Sequence, residues 1–236
     1  MKQADANQDL KKAAGIRAAS FVQSGMRVGL GTGSTAAFLI EELGRRKREE
    51  NLQIVCTATS FSSQVLGEKA GLTVLPIDQF DDLDISIDGA DEIDPRLYLI
   101  KGGGAAHTRE KLVHAMSRRF VVIADSSKRV QKLGVKFAVP VEVIPCSARY
   151  AMRRLMALGA THCEIRMSKS GKDGPVVTDN ANFILDSTMH VADPISMETA
   201  INCIPGVLEN GIFASVRPVQ AVIAEAGGLD EITLPA

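Results

Sequence analysis

Five apolar runs in the first 125 residues alternate with stretches of helical periodicity, and this alternation restricts the fold more than any other feature. The runs are MRVGL (26–30), LQIVCTA (52–58), LTVLPI (72–77), LDISID (83–88) and RFVVIAD (119–125). The spacing predicts helices over about 34–50, 62–70 and 110–118. A first helix, capped by Asn7 or Asp9 and ended by Gly25, carries the stripe Leu10, Ala14, Ala18, Phe21 and Val22. Strands that are apolar throughout need cover on both faces, and strand–helix–strand order makes neighbours parallel. The expected class is α/β, with a Rossmann-like parallel sheet.

Beyond residue 133 the pattern changes. FAVPVEVIP (137–145), HCEIRMS (162–168), VVTD (176–179) and NFILDS (182–187) read as four short strands. Helices over about 147–158 and 194–203 interrupt them, and GKDG (171–174) reads as a hairpin turn. This is a smaller α+β unit of ferredoxin-like type. The expected domains are residues 1–132, with 212–236 (most of GIFAS, 211–215, and all of AVIAEA, 221–226) returning to the first sheet, and 133–211, a candidate oligomer interface.

Lys+Arg 27 against Asp+Glu 28 leaves a net charge of −1, which argues against a nucleic-acid partner. Trp is absent and aromatics are 4%, so base-stacking platforms are not expected either. The four cysteines form no CxxC pair, which disfavours a zinc site or disulfide framework and fits a reducing compartment. No run approaches 18 apolar residues, and MKQADANQDLKKAAG lacks a signal core, so the expectation is a cytoplasmic protein with no membrane contact.

Three glycine-rich or acidic turns carry the candidate chemistry. Gly31-Thr32-Gly33-Ser34-Thr35-Ala36 follows a strand and opens a helix, where free amides and hydroxyls suit a phosphate. A P-loop needs a lysine that is absent. A dinucleotide fingerprint matches as Gly31-x-Gly33-x-x-Ala36, yet no Asp or Glu lies between Asn51 and Gly67 to hold a ribose. No redox cofactor is therefore expected. Asp88-Gly89-Ala90-Asp91-Glu92-Ile93-Asp94 sets four carboxylates at a strand's carboxyl end, where open α/β sheets bind ligands. As a calcium loop it fails, because position 12 would be Pro95. Lys101-Gly102-Gly103-Gly104 suggests backbone in close contact with a ligand, with Lys101 as an oxyanion donor and Glu110 as a base on the following helix. His107, Glu110 and His114 share one helical face, but neither HExxH nor HxxEH is present, so no metal is expected and His114 reads as structural. Each turn also has a plainer reading, as a packing turn or a solvated acidic turn.

Taken together, GTGSTA (31–36), DGADEID (88–94), KGGGAAHTREK (101–111) and IADSSK (123–128) resemble the A-type ribose-5-phosphate isomerases. PVEVIP (140–145), VVTDNANFILD (176–186) and IPGVLENGIF (204–213) extend the resemblance over nearly the whole chain. It implies interconversion of D-ribose 5-phosphate and D-ribulose 5-phosphate without cofactor or metal, in the non-oxidative pentose phosphate pathway, by a homodimer or homotetramer. It places Thr32, Gly33, Ser34 and Thr35 in the sugar-phosphate site. Gly89, Ala90, Gly102, Gly103, Gly104 and Lys128 are further substrate contacts. Glu110 is the general base, and Asp88, Asp91 and Lys101 complete the catalytic set. The resemblance leaves the division of roles between the two aspartates open. His107 departs from the family pattern, which favours an apolar residue there, and TSFSSQ (59–64) is assigned no contact.

The residues suit that chemistry. An aldose–ketose shift moves a proton between C2 and C1 through an enediolate, which one carboxylate and an oxyanion donor can serve. A Glu base needs a raised pKa, so partial burial of Glu110 is expected. Two rivals remain at this stage: a nucleotide-dependent enzyme using the Gly31 turn, and a non-catalytic sugar-phosphate-binding regulator.

Overall fold

The computed structural model describes residues 2–235 apart from 170 and 172, with residues 2–6 described by their backbone alone. In chain order the elements are α1 (Lys2–Ala19), β1 (Arg27–Leu30), α2 (Ser34–Glu49), β2 (Val55–Ala58), α3 (Phe61–Lys69), β3 (Thr73–Val74) and β4 (Ile85–Asp88). Next come β5 (Glu92–Ile93), β6 (Leu99–Ile100), α4 (His107–Ala115), β7 (Phe120–Asp125), β8 (Val139–Val143), α5 (Ala148–Ala157) and β9 (His162–Ile165). The chain ends with β10 (Phe183–Thr188), α6 (Pro194–Asn202), β11 (Val207–Asn210), β12 (Ile212–Phe213), β13 (Gln220–Glu225) and β14 (Gly228–Thr233). Two compact units result. One holds residues 1–90, 109–128 and 218–236, the other residues 91–108 and 129–217. The contacts thus group 91–108, 129–132 and 212–217 with the second unit, which a boundary drawn at 132/133 and a return at 212 does not.

The first unit is built on one seven-stranded sheet of order β14-β13-β7-β4-β1-β2-β3. Every pairing in it is parallel except β13–β14. β4, β7 and all but the last residue of β13 are buried at every position, the small or hydrogen-bonded polar residues Ser86 and Asp88 of β4 included. Strand order turns at β1: β2 and β3 lie to one side, β4 and β7 to the other. Ligands of open α/β sheets bind at such a switch point, beyond the carboxyl ends of the strands. α1 begins at Lys2, so Asn7 and Asp9 lie inside the helix rather than capping it. Nothing in Lys2–Ala6 breaks a helix, so helix propensity extends it past both residues. A Cβ on Gly15 would fall 2.9 Å from Leu39 N, which explains a glycine inside α1 where α2 crosses it.

The second unit runs β8-α5-β9-β10-α6-β11, and its antiparallel sheet has the order β11-β8-β10-β9. Numbered within the unit this is 4-1-3-2, the ferredoxin-like arrangement. The fourth strand is Val207–Asn210 and not VVTD, which makes only the single bridge Val177–Phe183. The reason is polar. Thr178, Asn180 and Asn182 turn their side chains onto Glu142 Oε1 at 2.7–3.1 Å, and Glu142 is fully buried on β8. Ala181, at φ 62°, closes that turn. Residues 170 and 172 of the GKDG region lie outside the described residues; Ser168 N–H donates to Gly174 O at 2.9 Å beside them. A three-stranded sheet, β12-β6-β5, completes this unit.

Candidate active site

In the first unit, the turns after β1, β4 and β7 bring Thr32–Thr35, Asp88–Ala90 and Lys128 to the carboxyl edge of one sheet. Gly33 has φ 104°, a conformation that favours glycine, and α2 begins at Ser34. Gly31 is required for a different reason. A Cβ there would fall 2.2 Å from Asp88 Oδ1. The Asp88 carboxylate fills that space and is fully buried. Its Oδ1 accepts from Thr32 N–H at 2.9 Å and Gly89 N–H at 2.7 Å.

The hydroxyls of the Thr32–Thr35 turn divide. Thr32 Oγ1 lies 2.7 Å from both Thr59 Oγ1 and Ser60 Oγ, so it holds the turn against the loop that opens α3. Ser34 is exposed, and its Oγ accepts from Lys11 Nζ of α1 at 3.1 Å. Lys11 therefore adds a cation at the helix N-terminus, where partial positive charge already favours an anion. Sequence reading missed Lys11, because a lysine in a first helix carries no motif. TSFSSQ, left without a contact, supplies Thr59 and Ser60.

Glu110 lies in the first turn of α4 and is 4% exposed, more deeply buried than the sequence reading asked for. His114, one turn on, is buried as well. Its ring stacks on Phe120 with centroids 3.8 Å apart, and its nitrogens lie 2.9 Å from Ser86 Oγ and 3.1 Å from Asp88 Oδ2. A structural histidine is what the sequence suggested.

In the second unit the DGADEID carboxylates part company. Glu92 is fully buried and accepts the backbone N–H groups of Gly134, Lys136 and Phe137 at 2.5–2.7 Å. Asp94 closes its own turn, accepting from the amides of Arg96 and Tyr98 at 2.9 and 2.8 Å. Asp91 is half-buried and accepts from Gly103 N–H at 2.8 Å, so it faces the glycine loop.

Lys101 is 2% exposed, its backbone N–H donates to Gly211 O at 2.9 Å, and its ammonium lies 5.4 Å from the centre of the Phe213 ring. Buried lysines are rare outside functional or paired settings. Gly102 has φ 107°, and a Cβ on it would meet His107 Nδ1 at 2.7 Å. His107 is fully buried, with Nε2 3.3 Å from Glu209 O, so it packs beneath the loop. Arg166 donates to the carbonyl oxygens of Gly102 and Gly103 at 2.8 and 3.1 Å and pairs with Asp186. With those carbonyls held, the loop conformation is fixed while Gly103 and Gly104 stay exposed. Neither Arg166 nor Asp186 carried a sequence signal beyond lying in strand-like segments.

Among the described residues no three His, Cys, Asp or Glu side chains converge on a point where a metal could sit. Among them, too, no helix is long and apolar enough to cross a membrane.

The chain is similar in sequence and fold to known proteins. The family model "Ribose 5-phosphate isomerase A (phosphoriboisomerase A)" matches residues 55–228. The ribose-5-phosphate isomerase A of Thermosynechococcus vestitus is 53% identical over 220 residues, 92% of each chain. That of Methanothermobacter thermautotrophicus is 52% identical over 209 residues, 88% of this chain and 91% of its own. The solved structure of ribose 5-phosphate isomerase A from Methanocaldococcus jannaschii superposes with a TM-score of 0.92 at 44% identity, covering 96% of this chain and 99% of that one. A D-ribose-5-phosphate isomerase solved in complex with phospho-erythronic acid superposes equally well, TM-score 0.92 at 40% identity, covering 95% of this chain and 98% of its own. Sequence and fold agree, and the chain belongs to the ribose 5-phosphate isomerase A family.

Proposed function

We propose that this chain interconverts D-ribose 5-phosphate and D-ribulose 5-phosphate through an enediolate, in the non-oxidative branch of the pentose phosphate pathway. Glu110 is the base that takes the proton from C2 and returns it to C1. Lys101 and the amides of Gly102–Gly104 stabilise the oxyanion that develops as the proton leaves. Asp91, with Gly89 and Ala90 beside it in sequence, serves the sugar hydroxyls and ring opening. Asp88 shapes the Thr32–Thr35 turn from beneath. The turn, with Lys11 and Lys128, holds the phosphate dianion. The observation that carries the reading is the burial of Glu110 to 4% exposure in the first turn of α4, a setting that turns a carboxylate from a solvated charge into a proton carrier.

Phospho-erythronic acid, bound in the solved relative, joins a planar carboxylate to a phosphate. Those are the two ends that an enediolate phosphate presents, which supports the division of labour proposed here. The non-catalytic alternative is disfavoured, because a regulator has no use for a buried Glu110 and a buried Lys101. Four free cysteines support a cytoplasmic setting. The exposed Ile144, Met167, Val177, Ile195 and Leu208 of the second unit offer apolar surface that a homodimer or homotetramer would cover. The test is an assay of ribulose 5-phosphate formation from ribose 5-phosphate with no added cofactor and with EDTA present. Undiminished turnover is expected. Activity that is lost with EDTA and restored by a divalent ion would contradict the proposed roles of Lys101 and the glycine amides.

A further inference from the structure

His114 takes no part in the chemistry above, yet its ring is fixed on three sides. One face stacks on Phe120, with 8° between the ring planes, while Nδ1 lies 2.9 Å from Ser86 Oγ and Nε2 3.1 Å from Asp88 Oδ2. Across the same carboxylate, Oδ1 accepts from Thr32 N–H at 2.9 Å. One buried aspartate thus joins the helix that carries Glu110 to the turn that opens α2. Glu110 and His114 are four residues apart on α4, on one face and about 6 Å apart along the axis.

We propose that His114 is a positioning residue: acting through Asp88, it fixes Glu110 at a set distance from the Thr32–Thr35 turn. The inference rests on reading Glu110 as the base and the turn as the phosphate site. A ring kept only for packing would not need both nitrogens engaged. An ionised carboxylate can only accept, so Asp88 takes a proton held on Nε2, while the Ser86 hydroxyl, able to donate or accept, serves Nδ1. A buried hydrogen bond to a charged group is both strong and directional, so it sets a distance that apolar packing would leave looser.

The test uses His114→Gln and His114→Asn. A Gln amide nitrogen can occupy the place of Nε2 and donate to Asp88, whereas the shorter Asn reaches only toward Ser86. Both lose the stacking on Phe120, so their melting temperatures should fall alike. His114→Gln should keep KM for ribose 5-phosphate within about threefold of wild type. His114→Asn should raise KM about tenfold and lower kcat, the scale of one lost hydrogen bond to a charge. Free ribose has no phosphate to be held relative to Glu110, so on it the two variants should agree. Ser86→Ala keeps the ring and its bond to Asp88 but removes the hydrogen bond at Nδ1 that helps to fix its orientation, and it should raise KM for ribose 5-phosphate about threefold. Equal KM values for the Gln and Asn variants, or an unchanged KM in Ser86→Ala should either of those fail to fold, would overturn the proposal. So would a Gln–Asn difference of the same size on free ribose. A wild-type chain that isomerises neither sugar would overturn the functional reading itself, whereas an active wild type with no such separation overturns the positioning role alone.

Discussion

One guanidinium nitrogen of Arg166 donates to the carbonyl oxygen of Gly102 at 2.8 Å. The same nitrogen reaches Gly103 O, and the rest of the guanidinium is held by Asp186. Removing this clamp frees a loop of three glycines that has little conformational preference of its own. Arg166→Ala should lower kcat/KM about 10- to 100-fold, mostly through kcat, because oxyanion donors out of position cost rate more than affinity. Steady-state kinetics on ribose 5-phosphate check this. A variant within threefold of wild type would contradict it.

Glu92 shows the opposite case, a carboxylate from the same acidic motif with no chemistry to do. Its three backbone donors hold the 134–137 loop. Glu92→Ala should destabilise the protein by about 3 kcal/mol, since it removes three hydrogen bonds to a buried charge, each worth on the order of 1 kcal/mol where its donor is half-exposed. Urea unfolding measures it, and a loss under about 1 kcal/mol would argue against the role.

These two residues mark how far the sequence could be read. The parallel sheet was legible because β4, β7 and β13 are buried along nearly their whole length and are mostly apolar. The turns at 31–35, 88–91 and 101–104 were legible because glycine and carboxylate clusters at strand ends have few other uses. β5 and β6 are only two residues long each, too short to leave a period, whereas the equally short β3 lies inside the apolar run LTVLPI and was legible from it. β14 alternates half-exposed residues at a sheet edge, and its polar composition resembles a tail. VVTD looked like a strand because Glu142, the partner that pulls its Thr178 into a turn, is 36 residues away in sequence. Lys11 and Arg166 act on turns far from them in sequence for the same reason, and single long side chains leave no pattern.

The phosphate assignment yields a contrast between two sugars. Ser34→Ala and Lys11→Met should each lower kcat/KM for ribose 5-phosphate several-fold to about 100-fold while changing free ribose far less, because only the phosphorylated sugar uses that binding energy for orientation. Equal loss on both sugars would show that the turn only packs.

The thiols give a test of burial that is independent of activity. Burial pushes Cys56 up to about 12 and Cys163 up to about 11, whereas Cys146 and Cys203 are exposed. At pH 8 the thiolate fraction of Cys56 is about 10⁻⁴, so a thiol-reactive dye should label two cysteines quickly and the other two only on unfolding. Rapid labelling of Cys56 in the native protein would contradict the packing described for β2.

In the function proposed for this chain, Glu110 carries the proton between C1 and C2. The direct measurement is kcat of Glu110→Gln on ribose 5-phosphate, taken beside its affinity for phospho-erythronic acid. Turnover should fall about 10²- to 10⁴-fold, the usual cost of removing a general base, with affinity and melting temperature close to wild type. A folded variant that keeps more than half of wild-type turnover would contradict the account.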